Sequence, residues 1–307
     1  LIKPEELEHK YKHEIHANEI VLLAYYIAAI NIEAVYHDMA KENVIAQDES
    51  GEDMPYEPFD GIVLTDTFQL YEQDKDMIAN LLPDNSERRT AQKERDIRVI
   101  VGNPPYKGQQ KDAGGDAESV SYPNLDEKIR TTYAAYSDAT NKNSLYNSFV
   151  RALRWASDRL DGKGIASFVT SASYLDSSAG SGIRKVMADD FDKIYIFNLR
   201  GDQRTKGEQS RQEGGKIFGS GSREPIAITV AVRLEERSEE VEIFYQDVDD
   251  YLTTDEKLRQ LVQSKSVQSP QVISSWKRIK PSKTNGWINV GDDTFSSHLS
   301  IVSKGND

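Results

Sequence analysis

The sequence predicts an α/β fold built on an open, mainly parallel sheet with an antiparallel end. Three observations predict it. Short β-branched runs alternate with segments of helical spacing along the chain, the pattern of strands joined by crossover helices. One run, Ile97-Arg98-Val99-Ile100-Val101-Gly102, breaks on Asn103-Pro104-Pro105-Tyr106. Neither proline donates a backbone hydrogen bond, so the strand must end there in a rigid loop. Late in the chain, Ile226, Ile228, Val230 and Val232 alternate strictly after a run at 194–198, which reads as an adjacent antiparallel pair.

The elements follow in order. Pro4 to Lys12 reads as a short helix with proline at its start, and Lys12 to Ala17 as a strand. Ile20 to Tyr36 is apolar nearly all round (Ile20, Leu23, Ala24, Ile27, Ala28, Ile30) and is expected to be a buried helix. Residues 38–60 read as an acidic loop, Ile62-Val63-Leu64 as a buried strand, and 84–95 as a charged helix leading into the strand at 97–102. Residues 107–124 are polar and expected to be mobile. Asn143 or Ser144 caps a helix running to Leu160, with Leu145, Phe149, Ala152, Leu153 and Ala156 at helical spacing, and Gly162 and Gly164 stop it. A strand at 165–169, a helix at 183–188 and a strand at 194–198 follow. Residues 200–224 carry little to bury and read as a long flexible loop before the strand from Pro225 to Leu234. From 236 the pattern changes to a strand at 241–245, a helix capped by Thr253 with Glu256 three residues on, and loosely patterned sequence containing Trp276 and Trp287. The expected division is one domain over 1–235 and the start of another over 236–307.

Composition narrows the function. Of 307 residues, 38 are Lys or Arg and 51 are Asp or Glu, a net charge of −13, which argues against a stand-alone nucleic-acid module relying on phosphate neutralisation. Acidity is uneven: Arg200, Arg204, Lys206, Arg211, Lys216 and Arg223 make a local basic stretch. Cysteine is absent, which removes disulfides, thiolate nucleophiles and thiolate metal sites. The five histidines show no ligand spacing, so no metal site is expected. No run of about 18 apolar residues or secretory leader is visible, so a cytoplasmic protein without a membrane span is expected.

The loop at 103–106 carries the chemistry. It holds an amide side chain, two proline carbonyls and an aromatic ring at a strand's carboxyl end, where ligands bind in open α/β sheets. An amide and a ring suit a planar base bearing an exocyclic amine. Two other strand ends carry carboxylates: Glu19, between a candidate strand and the helix from Ile20, and Asp66 in Leu64-Thr65-Asp66-Thr67-Phe68. Read without context, Glu19 is an acidic residue favoured by a helix dipole and Asp66 a turn former.

The string Asn103-Pro104-Pro105-Tyr106 resembles the signature of amino-group methyltransferases that use S-adenosylmethionine, best known as the adenine-N6 DNA methyltransferases of the gamma class. Residues 10–235 resemble the core of the large single-polypeptide restriction-modification enzymes (Type I-like, Type ISP) that join such a methyltransferase to a translocase and a nuclease. The resemblance implies a Rossmann-like sheet. It implies that Asn103 and the Pro104 carbonyl accept hydrogen bonds from the target amine, while Pro105 stiffens the loop and Tyr106 stacks on a base flipped out of double-stranded DNA. It gives Glu19 the ribose hydroxyls of the cofactor, with Ala24 and Ala28 following, and gives Asp66 its adenine amine, with Phe68 packing on the ring. Lys216-Ile217-Phe218 resembles the family's late aromatic element, making Phe218 the second ring of a base clamp. Phe197 is the alternative ring, and alternation places it in the core. Tyr174 and Asp176 follow a strand and either approach the base or lie in the core or a loop. Arg204 and Lys206 are candidate DNA contacts.

The family's Gly-rich cofactor loop, a strand followed by Gly-x-Gly, does not occur among these residues, and Gly219-Ser220-Gly221 precedes a strand rather than opening a helix. The sheet is therefore expected to lack its first strand, and the chain to be part of a longer polypeptide. The function expected from the resemblance is methyl transfer from S-adenosylmethionine to adenine in DNA, within a restriction-modification enzyme whose remaining domains are its partners. The same four residues also occur in enzymes that methylate a protein glutamine amide or an RNA base. A third reading is an inactive structural or DNA-binding portion.

Overall fold

The computed structural model describes residues 3–42, 56–72, 82–106, 121–219, 223–269 and 273–290. It shows two compact units. One comprises Leu1–Asp96 with Tyr122–Leu125, the other Ile97–Ser121 with Asp126–Asp307. The polar stretch at 107–120 lies outside the described residues.

In the first unit, α1 (Pro4–His9) runs into a π-helical turn at Lys10–Glu14. The strand expected at 12–17 instead spans Ala17–Glu19 (β1), because Lys12 and Glu14 complete ion pairs of helical spacing with Glu8 and Lys10. β1 pairs in parallel with β2 (Ile62–Leu64). α2 (Leu22–Glu42) covers this pair: Tyr36 stacks on Tyr11 at 3.7 Å, and Phe59 and Ile62 complete a small core with Ala28, Ala29 and Ile32. The helix is not buried all round. Two strands offer one narrow apolar face, and Leu23, Ile27 and Ile30 on the other side are exposed. α3 (Pro83–Glu94) carries buried Asn85, whose amide accepts from Leu64 N–H at 2.8 Å and donates to its carbonyl at 3.1 Å. That side chain substitutes for a neighbouring strand and completes the end of β2.

The second unit is a six-stranded mixed sheet in the order β3-β4-β6-β5-β7-β8. Its strands are β3 (Val99–Gly102), β4 (Gly164–Ser171), β5 (Lys193–Arg200), β6 (Ile226–Arg233), β7 (Glu242–Asp247) and β8 (Lys277–Ile279). β3 and β4 are parallel, as are β5 and β7; β6 runs antiparallel between β4 and β5, and β8 is an antiparallel end strand. Four strands thus share one direction, the mainly parallel α/β arrangement expected from the alternation. α4 (Pro123–Thr131), α5 (Ser148–Arg159) and α6 (Ser181–Asp190) precede or separate the strands. Ile194, Ile196, Ala156 and Leu160 are fully or almost fully buried. The boundary expected at 235 falls between two strands of this sheet: β7 joins β5 directly, Trp276 packs edge-on against Tyr195 at 5.6 Å, and buried Trp287 against Tyr174 at 6.4 Å.

The stretch expected as a long loop at 200–224 is organised over its described residues. β5 ends on a bulge at Asn198/Arg200, where Arg200 turns with φ 54° and pairs with Asp247 and Asp250. α7 (Gly207–Glu213) follows, then a turn whose Gly214 has φ 66° and whose position admits no side chain: a Cβ would sit 2.2 Å from the Leu252 carbonyl. α8 (Thr254–Ser264) closes over this turn. Thr253 and Glu256 form the expected capping box, and Lys257, fully buried, donates to the carbonyls of Leu199 (2.9 Å), Glu213 (2.7 Å) and Gly215 (2.7 Å). Three donors meet three acceptors, a satisfied buried ammonium. Composition gave no sign of this order, because the bonds come from a helix some fifty residues downstream.

Two outcomes follow. Thr253→Ala removes the cap of α8 and should lower the unfolding free energy by about 1 kcal/mol in urea titration; an unchanged midpoint would show that the box contributes nothing. Burial pushes the Lys257 ammonium down to about 8, a cost that the nearby Glu213 only partly offsets. The folded state then binds this proton more weakly than the unfolded chain, so the cost is present below that pH and is relieved as pH rises toward the ordinary lysine range. Wild-type stability should therefore rise relative to Lys257→Met between about pH 7.5 and 10, and a constant difference would show an ordinary lysine.

Candidate active site

The strand ends of the first unit bring Glu19 and Asp66 to one edge. Parallel register sets Glu19 opposite Leu64, and Thr65 N–H donates to the Glu19 carbonyl at 2.9 Å. Glu19 Oε1 accepts the amides of Ile20 (2.8 Å) and Val21 (3.0 Å) at the start of α2, a carboxylate at a helix N-terminus as electrostatics favours; no described group bonds Oε2. Asp66 caps a 3-10 turn at Thr67–Leu70. Its Oδ1 accepts Phe68 N–H at 2.9 Å and its Oδ2 accepts the Tyr122 hydroxyl at 2.7 Å. The Phe68 and Tyr122 rings meet edge-on, 5.3 Å between centroids.

Tyr122 and its support were not legible in the sequence. Glu72, 3% exposed, accepts the amides of Asn124 and Leu125, both at 3.0 Å. These are orphan donors in the first turn of α4, which starts at Pro123. The capping carboxylate lies more than fifty residues upstream, beyond the reach of any local motif.

This edge fits a nucleoside. Oε2 of Glu19 is an acceptor suited to ribose hydroxyls, Asp66 retains lone pairs suited to an amine, and Phe68 and Tyr122 supply apolar surface. Asn18 Oδ1 and Gln69 Oε1, next in sequence to Glu19 and Phe68, are buried acceptors without a partner among the described residues.

In the second unit, β3 delivers Asn103. Gly102 pairs with Phe168 of β4, and a Cβ at Gly102 would lie 2.8 Å from the Phe168 ring, so the strand's last position takes glycine. Asn103 is exposed, and its Oδ1 accepts the Tyr106 hydroxyl at 2.7 Å. The Tyr106 ring is half-buried against Phe197, Leu199, Ile226 and Val248, and burial pushes its hydroxyl up to about 12, so the phenol keeps its proton at neutral pH. Pro104 is half-buried and Pro105 exposed.

Phe218 lies 5.9 Å from Tyr106, with the rings tilted by 42° and Phe218 37% exposed. Two van der Waals contacts of about 3.5 Å on either face of a planar base put parallel rings about 7 Å apart, so this pair needs to open by only roughly 1 Å and flatten. The alternative ring, Phe197, is 6% exposed and packs on Trp276. The Lys257 cage fixes Gly215, three residues before Phe218, and Thr254 Oγ1 donates to the Lys216 carbonyl at 2.8 Å.

Other expected residues stand elsewhere. Tyr174 is 1% exposed, with its hydroxyl 2.6 Å from Thr229 Oγ1, so it is a core residue, unavailable to a base. Arg204 is held by Asp202 at 2.9 Å and Glu224 at 3.2 Å, which neutralises it locally. Lys206 is exposed at the start of α7.

Among known proteins, residues 15–204 match the family model described as Eco57I restriction-modification methylase. Three solved structures are similar over almost the whole chain. A nuclease-deletion mutant of the Type ISP restriction-modification enzyme LlaGI, in complex with a DNA substrate mimic, is 43% identical with a TM-score of 0.86 over 96% of this chain and 23% of that one. The ATP-dependent Type ISP enzyme LlaBIII bound to DNA is 34% identical, with a TM-score of 0.88 over 99% of this chain and 19% of that one. A DrdV-DNA complex is 34% identical, with a TM-score of 0.81 over 95% of this chain and 27% of that one. The chain thus spans about a quarter or less of each of these proteins. No curated protein sequence matched. A strand ending on Asn103-Pro104-Pro105-Tyr106, two carboxylate-bearing strand ends and the match over 15–204 lead to one conclusion: the chain belongs to the Eco57I restriction-modification methylase family.

Proposed function

We propose that this chain carries the methyl-transferring part of a restriction-modification enzyme, acting on the exocyclic N6 amine of an adenine flipped out of double-stranded DNA, with S-adenosylmethionine as donor. The observation that carries the reading is the pairing of Tyr106 with Phe218 at 5.9 Å, beside Asn103. An amide next to two rings suits a planar base with an amine, and the related LlaGI, LlaBIII and DrdV structures contain DNA or a DNA mimic.

The residues divide the work. Asn103 Oδ1 and the Pro104 carbonyl accept hydrogen bonds from the amine, which turns the nitrogen lone pair out of conjugation and stabilises the positive charge that develops on it. Tyr106 and Phe218 hold the base on both faces; Pro105 keeps the loop from joining a ladder. Glu19 takes the ribose hydroxyls and Asp66 the adenine amine of the cofactor, with Phe68 against its ring. The donor, when bound, supplies an electrophilic methyl group on a sulfonium. No residue forms a covalent intermediate, so the gain comes from positioning and preorganised acceptors. Lys206 is proposed as a phosphate contact, and residues 236–307, which begin inside the same sheet, as the passage toward the part that reads the DNA sequence.

Two measurements test this. Asn103→Ala should lower adenine methylation by about 10²-fold or more with calorimetric S-adenosylmethionine binding retained; unchanged methylation would refute the site. Phe218→Ala should weaken capture of the flipped base by about 1–3 kcal/mol, read as a loss of the fluorescence change of 2-aminopurine at the target position, whereas an unaltered signal would remove Phe218 from the clamp.

A further inference from the structure

Asp66 does not stand alone at its strand end. A carboxylate on a short turn rotates about its terminal torsion, and a rotating acceptor gives up part of its binding energy to ordering. Here both oxygens are pinned: Oδ1 by Phe68 N–H at 2.9 Å, Oδ2 by the Tyr122 hydroxyl at 2.7 Å. Each oxygen has two acceptor positions, so one lone pair on each remains available.

Tyr122 is itself held firmly. It is 9% exposed and its ring stands edge-on to Phe68 at 5.3 Å and 87°. Pro123 fixes the next backbone torsion, and the buried Glu72 carboxylate takes the Asn124 and Leu125 amides. A hydroxyl so supported meets Asp66 at a constant position without a charge of its own, so it orients the carboxylate without neutralising it.

We propose that Tyr122 is a positioning residue for purine selectivity at the cofactor site: it orients the Asp66 carboxylate so that the free lone pair of Oδ2 faces the exocyclic amine of the cofactor's adenine. This assignment rests on the cofactor reading above and adds to it the residue that makes Asp66 discriminate. A merely structural tyrosine would affect all purine ligands alike. A positioning tyrosine affects only those that present an amine, because a 6-oxo group offers the carboxylate an acceptor and no hydrogen bond to strengthen.

The experiment compares S-adenosylhomocysteine with its inosyl counterpart by calorimetry, on the full polypeptide and on its Tyr122→Phe variant, which keeps the ring and its contact with Phe68. Wild type should prefer the adenosyl compound by about tenfold or more. In Tyr122→Phe the adenosyl affinity should fall about fivefold or more while the inosyl affinity stays within about twofold, so the ratio shrinks. An unchanged ratio, or an equal loss for both compounds, overturns the positioning role. Tighter adenosyl binding by the variant overturns it too, and makes the hydroxyl a competitor of the amine. A wild-type protein that binds both compounds without preference, or neither, overturns the cofactor reading itself and the assignment with it.

Discussion

The aromatic side of the site depends on one ammonium group. Lys257 Nζ gathers the end of β5, the end of α7 and the turn before Phe218 by donating to three carbonyls. Among the described residues no other side chain bonds all three. A buried ammonium needs every donor met, and here the acceptors are backbone atoms whose positions define the chain path. The constraint runs in both directions: the cage fixes the path, and the path makes the lysine tolerable. Neighbouring interactions strengthen it, with Gly201 and Asp202 amides on Glu213 and the Thr254 hydroxyl on the Lys216 carbonyl. The ring that faces Tyr106 is thereby placed by a helix following β7, in the part of the chain that the change of pattern at 236 sets apart.

The two carboxylates in the first unit and the amide in the second share a construction. Each sits where a parallel strand runs out and the backbone turns into a helix or a proline loop. β1 and β2 end in register, so Glu19 and Asp66 share an edge; β3 ends where Gly102 pairs with Phe168 and the prolines forbid another ladder bond. Strand ends are fixed by the sheet while their side chains remain free for a ligand, which is why chemistry concentrates there.

Much of this was legible because it is local. Alternation at Ile226–Val232, the apolar run at 62–64, the capping pair Thr253/Glu256 and the proline break at 104–105 are each set within a few residues, and the three strand ends kept their order. What was not legible depends on partners far away. The strand expected at 12–17 became a π-helical turn because its charges pair at helical spacing, and the helix after Ile20 buries only one side because two strands cannot cover it. Residues 200–224 contain almost nothing apolar, yet α7 and its turn are ordered by Arg200, Glu213 and Lys257 through ion pairs and carbonyl contacts that leave no periodic trace. Tyr174, open in sequence to a base contact or to a core or loop position, lies in the core, with its hydroxyl 2.6 Å from Thr229 Oγ1 on β6. Tyr122 owes its place to Glu72, and no spacing rule links residues so far apart.

Gly102 has a consequence for the genetics of this loop. Its lack of a side chain is what lets the Phe168 ring lie against the last residue of β3, so a saturation screen would mark position 102 as intolerant beside Asn103, and the two would look equally essential. Their causes differ. At 103 the loss would be of an acceptor and nothing elsewhere would restore it. At 102 it would be a steric conflict with one ring, and shrinking that ring would relieve it. Second-site suppressors at Phe168 are therefore the signature that separates a residue shaping the loop from one that supplies its acceptor.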